Sequence, residues 1–264
     1  MSDLRPTTAP NRPTLLGVSL KLYLDLDRSA AWARGVADVA RRHPAVADGR
    51  VRLFALPSLP ALPAVREALA GTRVELGAQD LSMHDRGAYT GEISGADLAA
   101  AGCRLVEVGH VERRLGFGED EDTVRAKLQA AVRNGLTPVL CVGEHERVSP
   151  VDAAAASTAQ LASALDGLRA SEPAELIVAY EPVWAIGMPD PAPAEHIAEV
   201  VAALRHGLDG DRRFASVSVL YGGSAQHGSL SALGGIVDGL FLGRFAHDPA
   251  ELARIVDEAT TPGN

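Results

Sequence analysis

The 264-residue sequence predicts an α/β protein built as a single-domain (β/α)8 barrel, and three observations carry that reading. Short apolar, β-branched runs alternate with longer Ala-rich segments along the whole chain. The length is close to the roughly 250 residues that such a barrel needs. Polar residues gather just beyond the ends of the apolar runs: Lys21, Gln79, His110, Glu144, Glu181, Ser224 and Arg244. In a barrel those positions converge on the C-terminal face, where active sites sit. An open doubly wound sheet also accommodates eight strands, and periodicity does not separate the two; length and the polar positions favour the barrel.

Strands are expected at 15–20, 51–56, 74–78, 105–108, 138–142, 176–180, 217–221 and 239–242. Most are near-continuous apolar runs, which suits parallel strands covered on both faces. Between them, 29–42 carries Ala30, Trp32, Ala33, Val36, Val39 and Ala40 on one helical face. Segment 120–134 opens on acidic residues and stops at Gly135, matching the charge and capping preferences of a helix. Segments 153–168 and 193–208 are similar, and the glycine-rich stretch after Tyr221 leaves room for only a brief helix. With no break in composition, 13–260 forms one barrel domain and 1–12, polar and proline-bearing, a disordered N-terminal arm.

The net charge of −9 argues against a nucleic-acid or anionic-membrane surface. No apolar run approaches the ~18 residues of a membrane span, and the N-terminus lacks a signal-peptide layout, so the cytoplasm is the expected compartment. Cys103 and Cys141 lie in or beside apolar runs and are expected to be buried thiols. No clustered Cys/His pattern, Walker A sequence or strand-coupled G-x-G-x-x-G is present, so neither a metal nor a cofactor is expected.

Three positions stand out for chemistry. Glu181, in AYEPVWAIG (179–187), follows an apolar strand and precedes a hydrophobic stretch. A carboxylate under apolar cover holds its proton more tightly and can act as a base near neutrality; a surface glutamate opening a loop has the same local sequence. His110, in VGHVERR (108–114), follows the fourth strand and can donate to substrate oxygens. A packing role is the alternative for a lone histidine. Glu112, Arg113 and Arg114 suit an ion-pair cluster beneath it. Lys21, closing the first strand, can hold an anion or polarise a carbonyl, or else snorkel at the surface. Glycine-bearing turns at YGGS (221–224) and LGR (242–244) end the last two units, and such turns grip phosphate in barrels of this kind.

Taken in order, these motifs resemble the triosephosphate isomerase family from about residue 15 to 254. The matching segments are GAQD (77–80), GAYTGEIS (87–94), GHVERR (109–114), GFGE (116–119), LCVGE (140–144), AYEPVWAIG and YGGS. The resemblance implies that Glu181 removes a proton beside a carbonyl. It makes His110 a neutral electrophile, roles the general account of that enzyme assigns to its glutamate and histidine. Lys21 would add positive charge, and Glu112 would order the His110–Lys21 neighbourhood. Segment 182–192 would be a lid, and the Gly187, Ser224 and Gly243 N–H groups would take the phosphate of a small sugar phosphate. The 79–93 segment would reach a second subunit, placing Thr90 at the partner's active site in a homodimer.

The chain also departs from that family. Ser19 stands where the family has asparagine, Leu20 replaces an aromatic residue, and Val111 replaces serine. The lid tip reads Gly187-Met188-Pro189-Asp190 in place of G-T-G-K, and Pro189 fixes a backbone angle. The last phosphate turn has Gly243-Arg244 in place of two glycines, so an Arg244 guanidinium can add a phosphate contact or narrow the pocket. The leading expectation is an aldose–ketose isomerase of glyceraldehyde 3-phosphate and dihydroxyacetone phosphate; the alternative is an isomerase of a four-carbon ketose phosphate such as an erythrulose phosphate, and the third is a non-catalytic phosphosugar-binding protein. Retention of Glu181, His110 and Lys21 argues against the third.

Overall fold

A computed structural model describes residues 12–169 and 174–261. Eight strands, β1 (Thr14–Ser19), β2 (Val51–Leu56), β3 (Glu75–Ala78), β4 (Leu105–Val108), β5 (Thr137–Val142), β6 (Ala174–Tyr180), β7 (Phe214–Tyr221) and β8 (Gly239–Leu242), close in sequence order into a parallel barrel. The helices outside it are α1 (Leu26–Arg42), α2 (Pro44–Ala47), α3 (Leu62–Leu69), α4 (Gly95–Ala100), α5 (Val111–Phe117), α6 (Glu121–Arg133), α7 (Pro150–Leu165), α8 (Ala194–Leu208), α9 (Ser229–Leu233) and α10 (Pro249–Glu258). The barrel and each expected strand are present. Of the expected arm, 1–11 lies outside the described residues, while Arg12 donates to the Val217 carbonyl at 3.1 Å.

Differences at element ends have local causes. α1 starts at Leu26 because the Asp25 carboxylate accepts from the Arg28 N–H, and α7 starts at Pro150 because Ser149 caps it. Asp166 then ends α7 three residues before the expected stop. β6 and β7 begin earlier than their apolar runs, through residues such as Glu175 and Ser216 that pair in the sheet while only partly buried.

Alternate strand residues fill the barrel interior: Leu15, Phe54, Leu56, Leu105, Val139, Cys141, Ile177, Ala179, Leu220 and Phe241 are all buried there. Phe54 and Phe241 stack across it with ring centres 6.2 Å apart. Outside the strands, a second apolar layer, including Trp32, Val36 and Leu53, packs against the helices. At the N-terminal mouth the Arg52 guanidinium bridges Glu75 at 2.8 Å and Glu175 at 2.6 Å. Both cysteines are buried and free.

Closure depends on Gly239, the β8 residue paired with both Leu15 of β1 and Leu220 of β7. A Cβ there would lie 1.8 Å from the Leu15 carbonyl oxygen, a backbone atom that cannot swing aside. Gly239→Ala is therefore expected to lose about 2–3 kcal/mol of stability, as overpacked sites do. Urea unfolding measures it, and a loss under about 0.5 kcal/mol would show that the seam relaxes freely.

Candidate active site

The strand ends deliver the expected polar residues to one mouth. Ser19, Lys21, His110, Glu112, Glu181, Gly187, Ser224, Gly243 and Arg244 all line one cavity of about 100 Å³. Gln79 and Glu144 do not line it, and Thr90 lies elsewhere, at the exposed tip of its loop.

Lys21 follows β1 in a left-handed conformation, φ 48°, which a non-glycine residue adopts only when its surroundings impose it. Gln79 imposes it from the end of β3, donating its side-chain N–H groups to the carbonyls of Lys21 (3.1 Å) and Leu56 (2.9 Å). The ammonium then reaches Glu112 Oε1 at 2.8 Å. Burial opposes the Lys21 charge, but the Glu181 and Glu112 carboxylates more than offset it and raise its pKa above the ordinary value. For Glu112, burial would raise the carboxyl; the Lys21 ammonium outweighs it and holds Glu112 below the usual range.

His110 is the N-cap of α5, and its Nδ1 accepts the Glu112 backbone N–H at 3.1 Å. A nitrogen that accepts an N–H bears a lone pair, so the neutral ring carries its proton on Nε2. That Nε2 is buried, has no hydrogen-bond partner, and lies 3.5 Å from Glu181 Oε2, which is likewise buried and unpartnered. These two buried polar atoms therefore stand side by side in the wall of the cavity. Arg114 steadies the turn before His110 by donating to the Gly109 carbonyl at 2.8 Å and pairing with Glu121. Arg113 and Lys127 join Asp80 and Glu119 in a partly buried cluster behind it.

Glu181 sits one residue past β6, with its N–H bonded to the Val142 carbonyl. Gly222 makes room for it: a Cβ at 222 would fall 2.6 Å from Glu181 Cγ. The segment that follows is anchored at both ends. The buried Glu144 carboxylate accepts from Trp184 Nε1 at 2.7 Å, from the Tyr180 hydroxyl, and lies 3.0 Å from His196 Nε2. Glu144, expected at the mouth, is instead paired with His196 beneath the segment that follows Glu181. Ser224, also left-handed at φ 57°, donates to the Ala185 carbonyl at 2.8 Å. The Tyr221 hydroxyl accepts from the Ala192 N–H at 2.8 Å and donates to the Gly223 carbonyl. The Arg244 guanidinium lies over the Tyr23 ring, 5.5 Å from its centre, on the Gly187 side of the cavity.

One site residue was missed. Glu107, in the middle of β4, is buried, lines the same mouth, and accepts from the Ser19 hydroxyl at 3.1 Å. Its Oε1 lies 3.9 Å from His110 Nε2. The signal was available: an acidic residue interrupts the apolar run Leu105–Val108, two positions after Leu105 and hence on the inward face. Ser19, Lys21, His110 and Glu112 also border a second, larger cavity of about 570 Å³, and Glu107 forms part of its wall.

Among the described residues no group of His, Cys, Asp or Glu is arranged to hold a metal ion. No described helix is long and apolar enough to cross a membrane.

Burial pushes the Glu107 pKa up to about 7. The folded state then holds that proton more tightly than the unfolded chain, so the cost of ionising Glu107 is absent below the unfolded pKa and complete above about 7. Glu107→Gln, which cannot ionise, should therefore gain up to about 3 kcal/mol over the parent at pH 8, with most of the gain gone at pH 5. Urea unfolding at the two pH values tests this; equal destabilisation at both would contradict it.

The Triosephosphate isomerase family model matches residues 14–259. An L-erythrulose-1-phosphate isomerase of Pectobacterium atrosepticum is 48% identical over 95% of this chain and 97% of its own length. Another, from Rhizobium etli, is 41% identical over 88% of this chain and 86% of its own. A triosephosphate isomerase of Symbiobacterium thermophilum is 42% identical over 78% of this chain and 82% of its own. With matching motifs from the first strand to the last helix, the chain belongs to the triosephosphate isomerase family.

Proposed function

We propose that this chain isomerises a four-carbon ketose phosphate, moving the carbonyl between carbons 2 and 3 of erythrulose 1-phosphate. That it is a sugar-phosphate isomerase of its family rests on the match of nearly the whole chain to curated isomerases. The choice of substrate is our reading. Erythrulose 1-phosphate is dihydroxyacetone phosphate with a hydroxymethyl group on the reacting carbon. The observation that carries the choice is the space beside Ser19: a larger cavity of about 570 Å³ shares Ser19, Lys21 and His110 with the catalytic cavity. Relatives that bear the name L-erythrulose-1-phosphate isomerase, alongside others named triosephosphate isomerase, support the same reading.

In this scheme the N–H groups of Gly187, Ser224 and Gly243 and the Arg244 guanidinium hold the phosphate. Glu181 takes the proton from carbon 3, leaving an enediolate across carbons 2 and 3, and returns it to carbon 2. His110 gives its Nε2 proton to the carbon-2 oxygen and takes the proton of the carbon-3 hydroxyl in return, so that the negative charge shifts between the two oxygens. Lys21 adds a fixed positive charge, kept in place by Glu112. The phosphate and carbon 4 are unchanged, and the product is the isomeric erythrulose 4-phosphate. No cofactor enters the scheme. A lid over 182–192 would keep water from the enediolate.

The 79–93 loop projects as an ordered unit. Its neck is closed by the Ser82 N–H on the Ile93 carbonyl, its tip by stacking of His84 on Tyr89, and its flank by Arg133 on Asp85. We read it as an arm that enters the outer part of a partner's larger cavity, with Thr90 at its tip, in a homodimer. Sedimentation should give twice the 27.5 kDa chain mass, and a monomer would remove this reading of the loop.

Steady-state assays with L-erythrulose 1-phosphate and with dihydroxyacetone phosphate test the substrate. The four-carbon kcat/KM should be at least about tenfold the greater, since the two differ by one hydrogen-bonding group; a preference for the triose would return the chain to aldose–ketose isomerisation. Glu181→Gln should lower kcat by roughly 10²–10⁴-fold while inhibition by inorganic phosphate persists. Full activity in that variant would exclude Glu181 as the base.

A further inference from the structure

The scheme above leaves one buried titratable group unused. Glu107 stands on the inward face of β4, next above Leu105, beside an apolar cluster of leucine, valine, isoleucine, alanine and phenylalanine with one cysteine. A carboxyl group there is expensive to bury and is kept only where something compensates it. The compensation within the fold is slight. Its hydrogen-bond donor among the described residues is the Ser19 hydroxyl, on Oε2. The nearby ammonium of Lys21 is committed to Glu112 at 2.8 Å. Oε1 points toward the mouth, 3.9 Å from the unpartnered Nε2 of His110. A structural role does not account for a carboxylate held so sparsely, and the proton transfer already has its base in Glu181.

The two cavities indicate what Glu107 faces. Gly187, Ser224, Gly243 and Arg244 line only the smaller cavity, and Glu107 lines only the larger. Ser19, Lys21 and His110 line both and form the boundary between them. A phosphate at the glycine turns places the reacting carbons between Glu181 and His110. Any group attached beyond the reacting carbon then passes Ser19 toward Glu107. Ser19 is short, so it takes little of the space at this boundary, and its hydroxyl holds the carboxylate at 3.1 Å.

We propose that Glu107, oriented by Ser19, is a specificity-determining residue that accepts a hydrogen bond from the terminal hydroxyl of the substrate, selecting ketose phosphates that carry a hydroxymethyl group beyond the reacting carbon. This rests on the four-carbon reading above and names the group that recognises the fourth carbon. The selection works in both directions. A substrate with the hydroxyl satisfies a buried acceptor, and one that fills the space without it leaves that acceptor unpaired.

The test is a cycle of two proteins and two substrates. Purified parent and Glu107→Gln are assayed on L-erythrulose 1-phosphate and on its 4-deoxy analogue, which keeps the carbon and lacks the hydroxyl, with dihydroxyacetone phosphate as reference. The parent should favour the hydroxylated substrate over the deoxy analogue by about 10- to 100-fold in kcat/KM, and Glu107→Gln should cut that ratio by about tenfold or more. Glu107→Leu should abolish it; should Leu at this position prevent folding, the isosteric Gln variant decides alone. A proportionate fall on all three substrates would mean that Glu107 serves the fold or His110 generally, and an unchanged ratio would mean that it does not meet the hydroxyl; either overturns the proposal. A parent that turns over the triose but not the four-carbon substrate removes the functional reading and this proposal with it. A parent that is active on the four-carbon substrate but indifferent to the 4-hydroxyl removes the role of Glu107 alone.

Discussion

Hydrogen bonding of β8 to β1 makes the site possible. Until that seam closes, Lys21 and Arg244 are at opposite ends of an open sheet, and the catalytic cavity has no wall between them. Once closed, Leu15 pairs with Gly239 and Val18 with Leu242, so the two turns that follow emerge side by side. The interior is then full of apolar side chains, and polar groups have only the two mouths to occupy. At the N-terminal mouth Arg52 pairs with both Glu75 and Glu175. The C-terminal mouth is different: Glu181 and His110 are left facing each other with unpaired atoms, and Lys21 is held in a strained conformation. Polar satisfaction at one end and its deliberate incompleteness at the other separate the scaffold from the site.

Much of this was legible in the sequence because it depends on periods and positions. Continuous apolar runs identified all eight strands, since parallel strands covered on both faces have no alternation to hide. The first polar residue after each run led to Lys21, His110, Glu181, Ser224 and Arg244, because strand direction is common to the whole barrel. Glu144 followed the same rule and had a different fate: its strand ends like the others, but Trp184, Tyr180 and His196 surround it. Which side of the wall a mouth residue takes depends on neighbours far away in sequence, and no local pattern encodes that.

Glu107 was missed for the complementary reason. A rule that looks beyond the end of each strand passes over a charge within one, and LVEV reads as a strand whatever its third residue. Its pairing with Ser19 joins β1 to β4, two strands that are not neighbours in the sheet, so only the closed barrel brings them together. Ser19 by itself looked like the loss of a larger amide; beside Glu107 it is half of a coupled pair.

Under the proposed function, in which 182–192 covers the substrate as a lid, the anchoring of that segment has a kinetic implication. Glu144 fastens Trp184, Ser224 fastens Ala185, and Tyr221 fastens Ala192, so the stretch between those moorings is the six residues 186–191. A span that short swings as a stiff flap rather than unravelling, and Pro189 stiffens it further by removing one of its softest torsions. Pro191 and Pro193 flank Ala192 with fixed φ, so the turning falls chiefly to Gly187, the one glycine of the span, at φ 75°. In that reading the pace of turnover is set by how readily the flap turns, and throughput answers to residues that never approach the sugar.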